Sequence, residues 1–205
     1  MILNAMIIDA LVIILGYLLG SISTAIIVCK LLSLPDPRTQ GSKNPGATNV
    51  LRIGNKKAAA ITLLGDFLKG LLPVLLAVAI GASEYGVAGA GLGAFLGHLF
   101  PVFFAFQGGK GVATAFGVIL ALSPVTAATA LLTWLISAVT VRISSVSSLA
   151  AAILSPLYAW WLGLSAIYIT TLLIIVAFLI WRHSDNIDRL LNGTEKRIGN
   201  RKPVE

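Results

Sequence analysis

With 57% hydrophobic and 11% charged side chains over 205 residues, the chain carries under half the charge of an ordinary soluble domain, where about a quarter of residues are charged. A soluble protein is therefore excluded, and an integral membrane protein with room for roughly five to eight spans of about 20 residues is expected. The net charge of +7, from 15 Lys and Arg against 8 Asp and Glu, belongs outside the hydrocarbon and serves to orient the spans.

The first apolar run covers residues 4–30 and meets no basic residue before Lys30. It lacks the positive leader of a cleaved signal and reads as a retained span. Within it Cys29, the single cysteine, excludes an internal disulfide and has no Cys or His at metal-ligand spacing, so it reads as helix packing. A polar stretch, "GSKNPGATNVLR" at 41–52, interrupts the apolar character before runs at 58–81 and 86–106. Past Lys110 come shorter runs at 111–122, 125–141, 146–163 and 165–181. Pro124 either kinks one long helix or separates two short ones.

Charge decides between these. Six of the cations fall between Lys30 and Lys57, six from Arg182 onward, and Lys69, Lys110 and Arg142 stand singly. Seven spans with the N-terminus outside place the loops near 30–57, 107–111, 142–147 and 182–205 in the cytoplasm, and the opposite loops then hold no Lys or Arg. A single kinked span at Pro124 would put Arg142 and the basic tail on opposite sides. The expectation is an all-α integral membrane protein, a compact bundle of about seven transmembrane helices, some short, with the C-terminus cytoplasmic and one membrane-embedded domain over 1–205. The run 111–122 makes only about 18 Å of helix, short of a core of about 30 Å. Water is therefore expected to reach partway in from the cytoplasmic face, where "QGGKGV" precedes it.

Three polar islands then share one membrane face. In the first, Gly41, Ser42, Gly46, Ala47 and Thr48 keep backbone open to a ligand and Pro45 fixes a turn. Thr48 or Asn49 could cap a short helix whose N–H groups face an anion, and Arg52 offers a planar fork suited to phosphate. A polar loop lying on anionic headgroups is the plainer alternative. In the second, Gly108 and Gly109 before Lys110, with Gly111 after it, can bring main-chain donors and an ammonium onto a phosphate. It is not a Walker A loop, because Phe104 stands where that motif's first glycine belongs and Val112 near where Ser or Thr is needed. In the third, "RHSDNIDRLLNGTEKR" at 182–197, a helix would put His183 and Asn186 on one face, continued by Leu190. A solvated amphipathic tail is the alternative there. His183 and Asp188 have the H-x-x-x-x-D spacing of soluble-type glycerolipid acyltransferases, yet on a straight helix they project about 140° apart, which argues against a dyad.

Elsewhere, Asp66 and Lys69 lie three apart inside a span, where ionisable groups need a partner or water, and read as a structural pair over a substrate contact. His98, between Gly97 and Pro101, reads as a hydrogen-bonded packing histidine, and Trp160, Trp161 and Trp181 as interface anchors.

Taken in order, "GSKNPGATNVLR", "GDFLKG", "GHLFPVFFAFQGGKGVATAFG" and "RHSDNIDRLLNGTE" resemble the bacterial membrane glycerol-3-phosphate acyltransferases of the PlsY type, over essentially the whole chain. The resemblance implies transfer of a fatty acyl group from acyl phosphate to sn-glycerol 3-phosphate, giving lysophosphatidic acid and phosphate at the start of phospholipid synthesis. Residue by residue it implies roles for Ser42, Thr48, Asn49 and Arg52, for Gly108, Gly109, Lys110 and Gly111, and for His183, Asn186 and Glu195, with Ser145 at a further edge. Of these, Ser42, Arg52, Lys110, His183 and Asn186 are expected in catalysis and the others in substrate binding. Lys43 departs from a family position that commonly holds Gly, and Gln107 from one that commonly holds Lys. No cofactor, metal or nucleic acid is expected. The implied partners are the two substrates, membrane lipid and the soluble acyl-phosphate-producing enzyme of the PlsX type, and the implied location is the bacterial inner membrane with the active site facing the cytoplasm.

An acyl phosphate is already activated, so the chemical demand is to hold two anions together by positive charge and main-chain donors. The family resemblance implies that the leaving phosphate takes the hydroxyl proton, with His183 binding or polarising. A transporter of an anionic phosphorylated metabolite is the rival reading, but no internal repeat is evident and the charges crowd one face.

Overall fold

The computed structural model describes residues 2–199, and among these the chain forms ten α-helices, one 3-10 turn and no strand. Two compact units emerge, one ending at Leu122 and one beginning at Ser123.

In the first unit, α1 (Ile2–Gly20) and α2 (Thr24–Leu31) together form the first expected span, broken at residues 21–23. The break leaves the Ile22 carbonyl without an intrahelical donor, and Lys69 Nζ supplies one at 2.9 Å. A lysine inside the membrane thereby satisfies freed backbone as well as a carboxylate, as broken membrane helices require. After α3 (Ala47–Arg52), α4 (Lys56–Ala79) is capped by the Asn55 side chain, which accepts from the Ala58 N–H. The next helix, α5 (Glu84–Leu99), is capped by Ser83, and a 3-10 turn at Val102–Phe104 follows it. Ser83 is itself held by Asp9 of α1, whose two carboxylate oxygens accept its N–H and its hydroxyl. The unit ends with the short helix α6 (Val112–Leu122).

Small residues set the spacing of these helices. A Cβ placed on Gly20 would lie 2.7 Å from Ala94 Cα, and one on Gly93 2.7 Å from the Ile13 carbonyl oxygen, so α1 and α5 touch backbone to backbone. On the other flank, a Cβ on Gly70 of α4 would stand 2.9 Å from the Thr114 carbonyl carbon of α6. Without hydrophobic drive between helices in lipid, such close packing is the main source of association.

The second unit comprises α7 (Pro124–Thr140), α8 (Ser144–Trp161), α9 (Ala166–Arg182) and α10 (Ser184–Leu191). Pro124 occupies the first turn of α7, where its missing N–H costs nothing, and Ser123 caps it by accepting from the Thr126 N–H. The proline thus separates two helices, as the charge pattern required. Hydrogen bonds from Trp134 Nε1 to Ser148 Oγ and between Thr133 and Tyr158 join α7 to α8. Each of the seven expected apolar runs is helical. Three elements, Leu3–Leu31, Lys56–Ala79 and Glu84–Phe104, are long and apolar enough to cross a membrane, and α9 with α10 makes a fourth, bent by 56°. Trp160, Trp161 and Trp181 are exposed at 66%, 79% and 53%.

Candidate active site

The loop from Leu34 to Gly46 has few apolar residues to fold on, so its shape comes from polar clamps. Asp36 turns the chain by accepting from the Arg38 N–H and from both Nε and Nη2 of its guanidinium, the last at 2.7 Å. The Arg38 side-chain hydrogen bonds hold the Asp36 carboxyl below the usual carboxylate range, outweighing its partial burial. Asn49 is the second clamp. Its Oδ1 accepts the Ser42 N–H at 2.9 Å while its Nδ2 donates to the carbonyls of Pro37 and Gln40. Gly41 fits both constraints there, with a φ of +61° and no space for a Cβ beside Asn49 Oδ1.

The short helix α3 begins at Ala47 with Gly46 as its N-cap, so Thr48 and Asn49 lie within its first turn and neither caps it. Asn49 and Val50 point inward, Val50 joining a core of Ala25, Val28, Cys29, Ala58 and Ala59. Thr48 and Arg52, one turn apart, are exposed on the other face, and Ser42 is exposed in the loop. Sequence reasoning grouped Asn49 with the ligand-facing residues; in the structure its amide serves the loop's own backbone.

Lys43 adopts a left-handed φ of +57°, a conformation that costs a side-chain-bearing residue about 1 kcal/mol relative to glycine. Lys43→Gly is therefore expected to slow amide exchange of Ser42 about fivefold, measured by hydrogen exchange; unchanged protection would show that the loop carries no strain there.

The second loop, Gln107–Gly111, lies against the end of α5. It is approached through two consecutive left-handed residues, Ala105 and Phe106, with φ of +53° and +59°. The Gly109 N–H donates to the His98 carbonyl at 3.1 Å. A Cβ on Gly108 would sit 2.6 Å from the Leu99 carbonyl carbon, and one on Gly109 would overlap the His98 ring. Gly111 has a φ of +88°, and a Cβ there would meet Leu99 Cδ1 at 2.8 Å. These glycines let the backbone press onto α5, and the Gly109 N–H, expected to face a phosphate, is bonded within the fold. Lys110 between them is half-buried. The two loops meet, since a Cβ on Gly109 would stand 3.1 Å from the Pro45 carbonyl oxygen.

Beneath this loop is a buried charged cluster. Asp66 Oδ1 accepts from Lys69 Nζ at 3.0 Å and lies 3.6 Å from His98 Nδ1, all three side chains being under 10% exposed. Thr114 of α6 donates its hydroxyl to the Asp66 carbonyl at 2.8 Å. Asp66 and Lys69 are thus paired, as their i, i+3 spacing implied.

In the second unit His183 ends α9 and starts α10, buried at 3% exposure. Its Nδ1 donates to the Leu179 carbonyl at 2.7 Å, which makes Nε2 the basic edge of the neutral ring. That nitrogen therefore serves the last turn of α9 and not Asp188. Glu195 is the hub of the unit. Its Oε1 accepts from Asn186 Nδ2 at 2.6 Å and from Ser145 Oγ at 2.9 Å, and its Oε2 from Arg189 Nε at 2.6 Å. Ser145, Asn186 and Glu195 are therefore brought together, with Arg189 the member that sequence reasoning missed. The signal available was a lone Glu six residues after an Arg.

Burial raises the Glu195 pKa, but the hydrogen bonds from Asn186, Arg189 and Ser145 and the Arg189 charge outweigh it and hold the carboxyl below the ordinary range. The stability contributed is therefore complete above the unfolded glutamate value of about 4.3 and is lost as pH falls through the lower folded value. Glu195→Gln is expected to lower stability by about 1.5–3 kcal/mol at pH 7, with the gap from the parent narrowing below about pH 4. Thermal unfolding at several pH values in detergent reads this, and a gap independent of pH would contradict it.

The sequence model of the glycerol-3-phosphate acyltransferase family matches residues 10–193. This chain belongs to that family. The glycerol-3-phosphate acyltransferase of Thioalkalivibrio sulfidiphilus is 58% identical over 91% of this chain and 92% of its own, and that of Methylococcus capsulatus is 55% identical over 90% and 93%. Among solved structures, the integral membrane glycerol 3-phosphate acyltransferase PlsY in its glycerol 3-phosphate form has a TM-score of 0.89 at 41% identity, covering 93% of this chain and 96% of that one. Its lysophosphatidic acid form gives 0.87 at 40%. A multi-pass membrane acyltransferase fold follows, in agreement with the apolar helices.

Proposed function

We propose that this chain transfers a fatty acyl group from acyl phosphate to sn-glycerol 3-phosphate, releasing lysophosphatidic acid and inorganic phosphate, as an initial step of phospholipid biosynthesis. The observation that carries the reading is the approach of the Pro45 and Gly109 backbones, which sets the loop leading into Arg52 beside the loop of Lys110 in a member of this family. Two cations, one at the end of the helix that follows the first loop and one on the second loop, suit two phosphate-bearing reactants.

The acceptor hydroxyl oxygen attacks the acyl carbonyl carbon, the bond from that carbon to the phosphate oxygen breaks, and the hydroxyl proton ends on the departing phosphate. Arg52 and Lys110 offset the charges of the phosphates, and Ser42 and Thr48 hydrogen-bond to their oxygens. Holding the reactants in line supplies much of the acceleration. His183 binds or polarises the acceptor through Nε2. Asn186, aligned by Glu195 and Ser145, acts beside it. Asn49 and the glycines at 108, 109 and 111 contribute to binding by shaping the two loops. Residues 1–205 act as one membrane-embedded acyltransferase domain in the bacterial inner membrane with its active site toward the cytoplasm. Membrane lipid surrounds it, and a soluble acyl-phosphate-producing enzyme of the PlsX type supplies the donor.

Purified protein given glycerol 3-phosphate and acyl phosphate is expected to form lysophosphatidic acid and inorganic phosphate in equal amounts. Uptake of glycerol 3-phosphate into sealed vesicles without acylated product would overturn the reading.

A further inference from the structure

The mechanism above leaves the buried charged cluster without a task, yet its one imidazole lies directly under the loop of Lys110. His98 touches that loop twice, through its carbonyl, which accepts the Gly109 N–H at 3.1 Å, and through its ring, which fills the space where a Gly109 Cβ would project. On its other edge Nδ1 faces Asp66 at 3.6 Å. Asp66 is in turn fixed by Lys69 at 3.0 Å, and its backbone carbonyl by Thr114 in the first turn of the helix that follows the loop. Lys69 is anchored to the Ile22 carbonyl at the break between α1 and α2. The chain of contacts therefore runs from the broken first span through a carboxylate to the imidazole, and from the imidazole to the glycine before Lys110. Packing alone does not require this arrangement, because a leucine of similar volume would fill the space beside Gly109 with no buried carboxylate to face.

We propose that His98 is a positioning residue for the acyl transfer: oriented by the Asp66–Lys69 pair, its ring is the surface on which Gly109 rests, and it sets where the Lys110 ammonium meets the phosphate. This inference rests on the assignment of Lys110 to phosphate binding. The space under Gly109 is shared between one ring and one missing methyl, so the two residues must be energetically coupled.

The test is a double-mutant cycle on glycerol 3-phosphate kinetics with Gly109→Ala, His98→Asn and the pair. Asparagine keeps a donor near Asp66 while withdrawing the edge against Gly109. In the parent background the added methyl is expected to lower kcat/KM by about 30-fold, the scale of an overpacked contact. His98→Asn alone lowers it about tenfold, by loosening the loop. In the His98→Asn background the methyl has room, and its additional cost is expected to be under about threefold. Thermal midpoints, read in parallel, separate positioning from stability, since the loss of about 30-fold is expected in a Gly109→Ala enzyme still fully folded at the assay temperature, and expected to fall mainly on KM for glycerol 3-phosphate. Should His98→Asn not fold, His98→Gln, whose flexible end can give way to the methyl, carries the same cycle. An equal 30-fold cost of the methyl in both backgrounds would overturn the proposal. A parent enzyme that fails to acylate glycerol 3-phosphate would instead overturn the functional reading, and the cycle would then be read on its binding by calorimetry.

Discussion

Replacing Lys110 with alanine is expected to lower kcat/KM for glycerol 3-phosphate by about 10²–10³-fold while leaving the fold intact. The magnitude follows from losing one charge-assisted contact to a phosphate whose charge grows in the transition state, worth about 2.7–4 kcal/mol. The fold is spared because the loop is held by the Gly109 N–H bond to the His98 carbonyl and by glycine contacts on α5. Steady-state kinetics on the purified variant, with its thermal midpoint alongside, measure the effect. Lys110→Arg keeps the charge and is expected to recover part of it. Near-parental efficiency in the alanine variant would remove this lysine from the site.

Replacing Asp66 with alanine is expected to produce the largest loss of stability, about 3–5 kcal/mol. It strands the Lys69 ammonium inside the first unit, where the Ile22 carbonyl is a dipole and not a counter-charge. Removing both charges, as Asp66→Leu with Lys69→Met, is expected to recover only part of the loss, since no buried charge is left unpaired but the Ile22 carbonyl still loses its donor. Thermal unfolding in one detergent compares the three proteins. If Asp66→Ala were as stable as the parent, the pair would be solvated and its buried description wrong.

The helices were legible in the sequence wherever an apolar run ended at a residue with its own local reason to end it. Ser123 and Pro124 are such a case, because capping and a fixed φ act within one turn and need no distant partner. The break at residues 21–23 was not legible. The apolar run continues through it, and the residue that tolerates it, Lys69, lies 47 positions away. Three of the polar residues assigned to the substrate turn out to serve the protein first. The amide of Asn49 is used up on its own loop, the Gly109 N–H on α5, and Glu195 on Ser145, Asn186 and Arg189. A polar group looks the same in sequence whether its partner is a ligand or a backbone carbonyl. Thr48 and Arg52 are exposed because Asn49 and Val50 turn inward, which leaves positions 48 and 52 outward on a helix of six residues. Glycines were read as donors to a ligand, whereas each of those at 108, 109 and 111 is needed where the backbone meets α5.

The account centres on catalysis by charge and alignment, with the departing phosphate receiving the hydroxyl proton, so that no protein base is required. The most direct measurement is the turnover of His183→Ala at saturating acyl phosphate and glycerol 3-phosphate. The account predicts a kcat close to the parent's with a raised KM for the acceptor; loss of turnover with glycerol 3-phosphate binding intact would make His183 an obligatory base and contradict it.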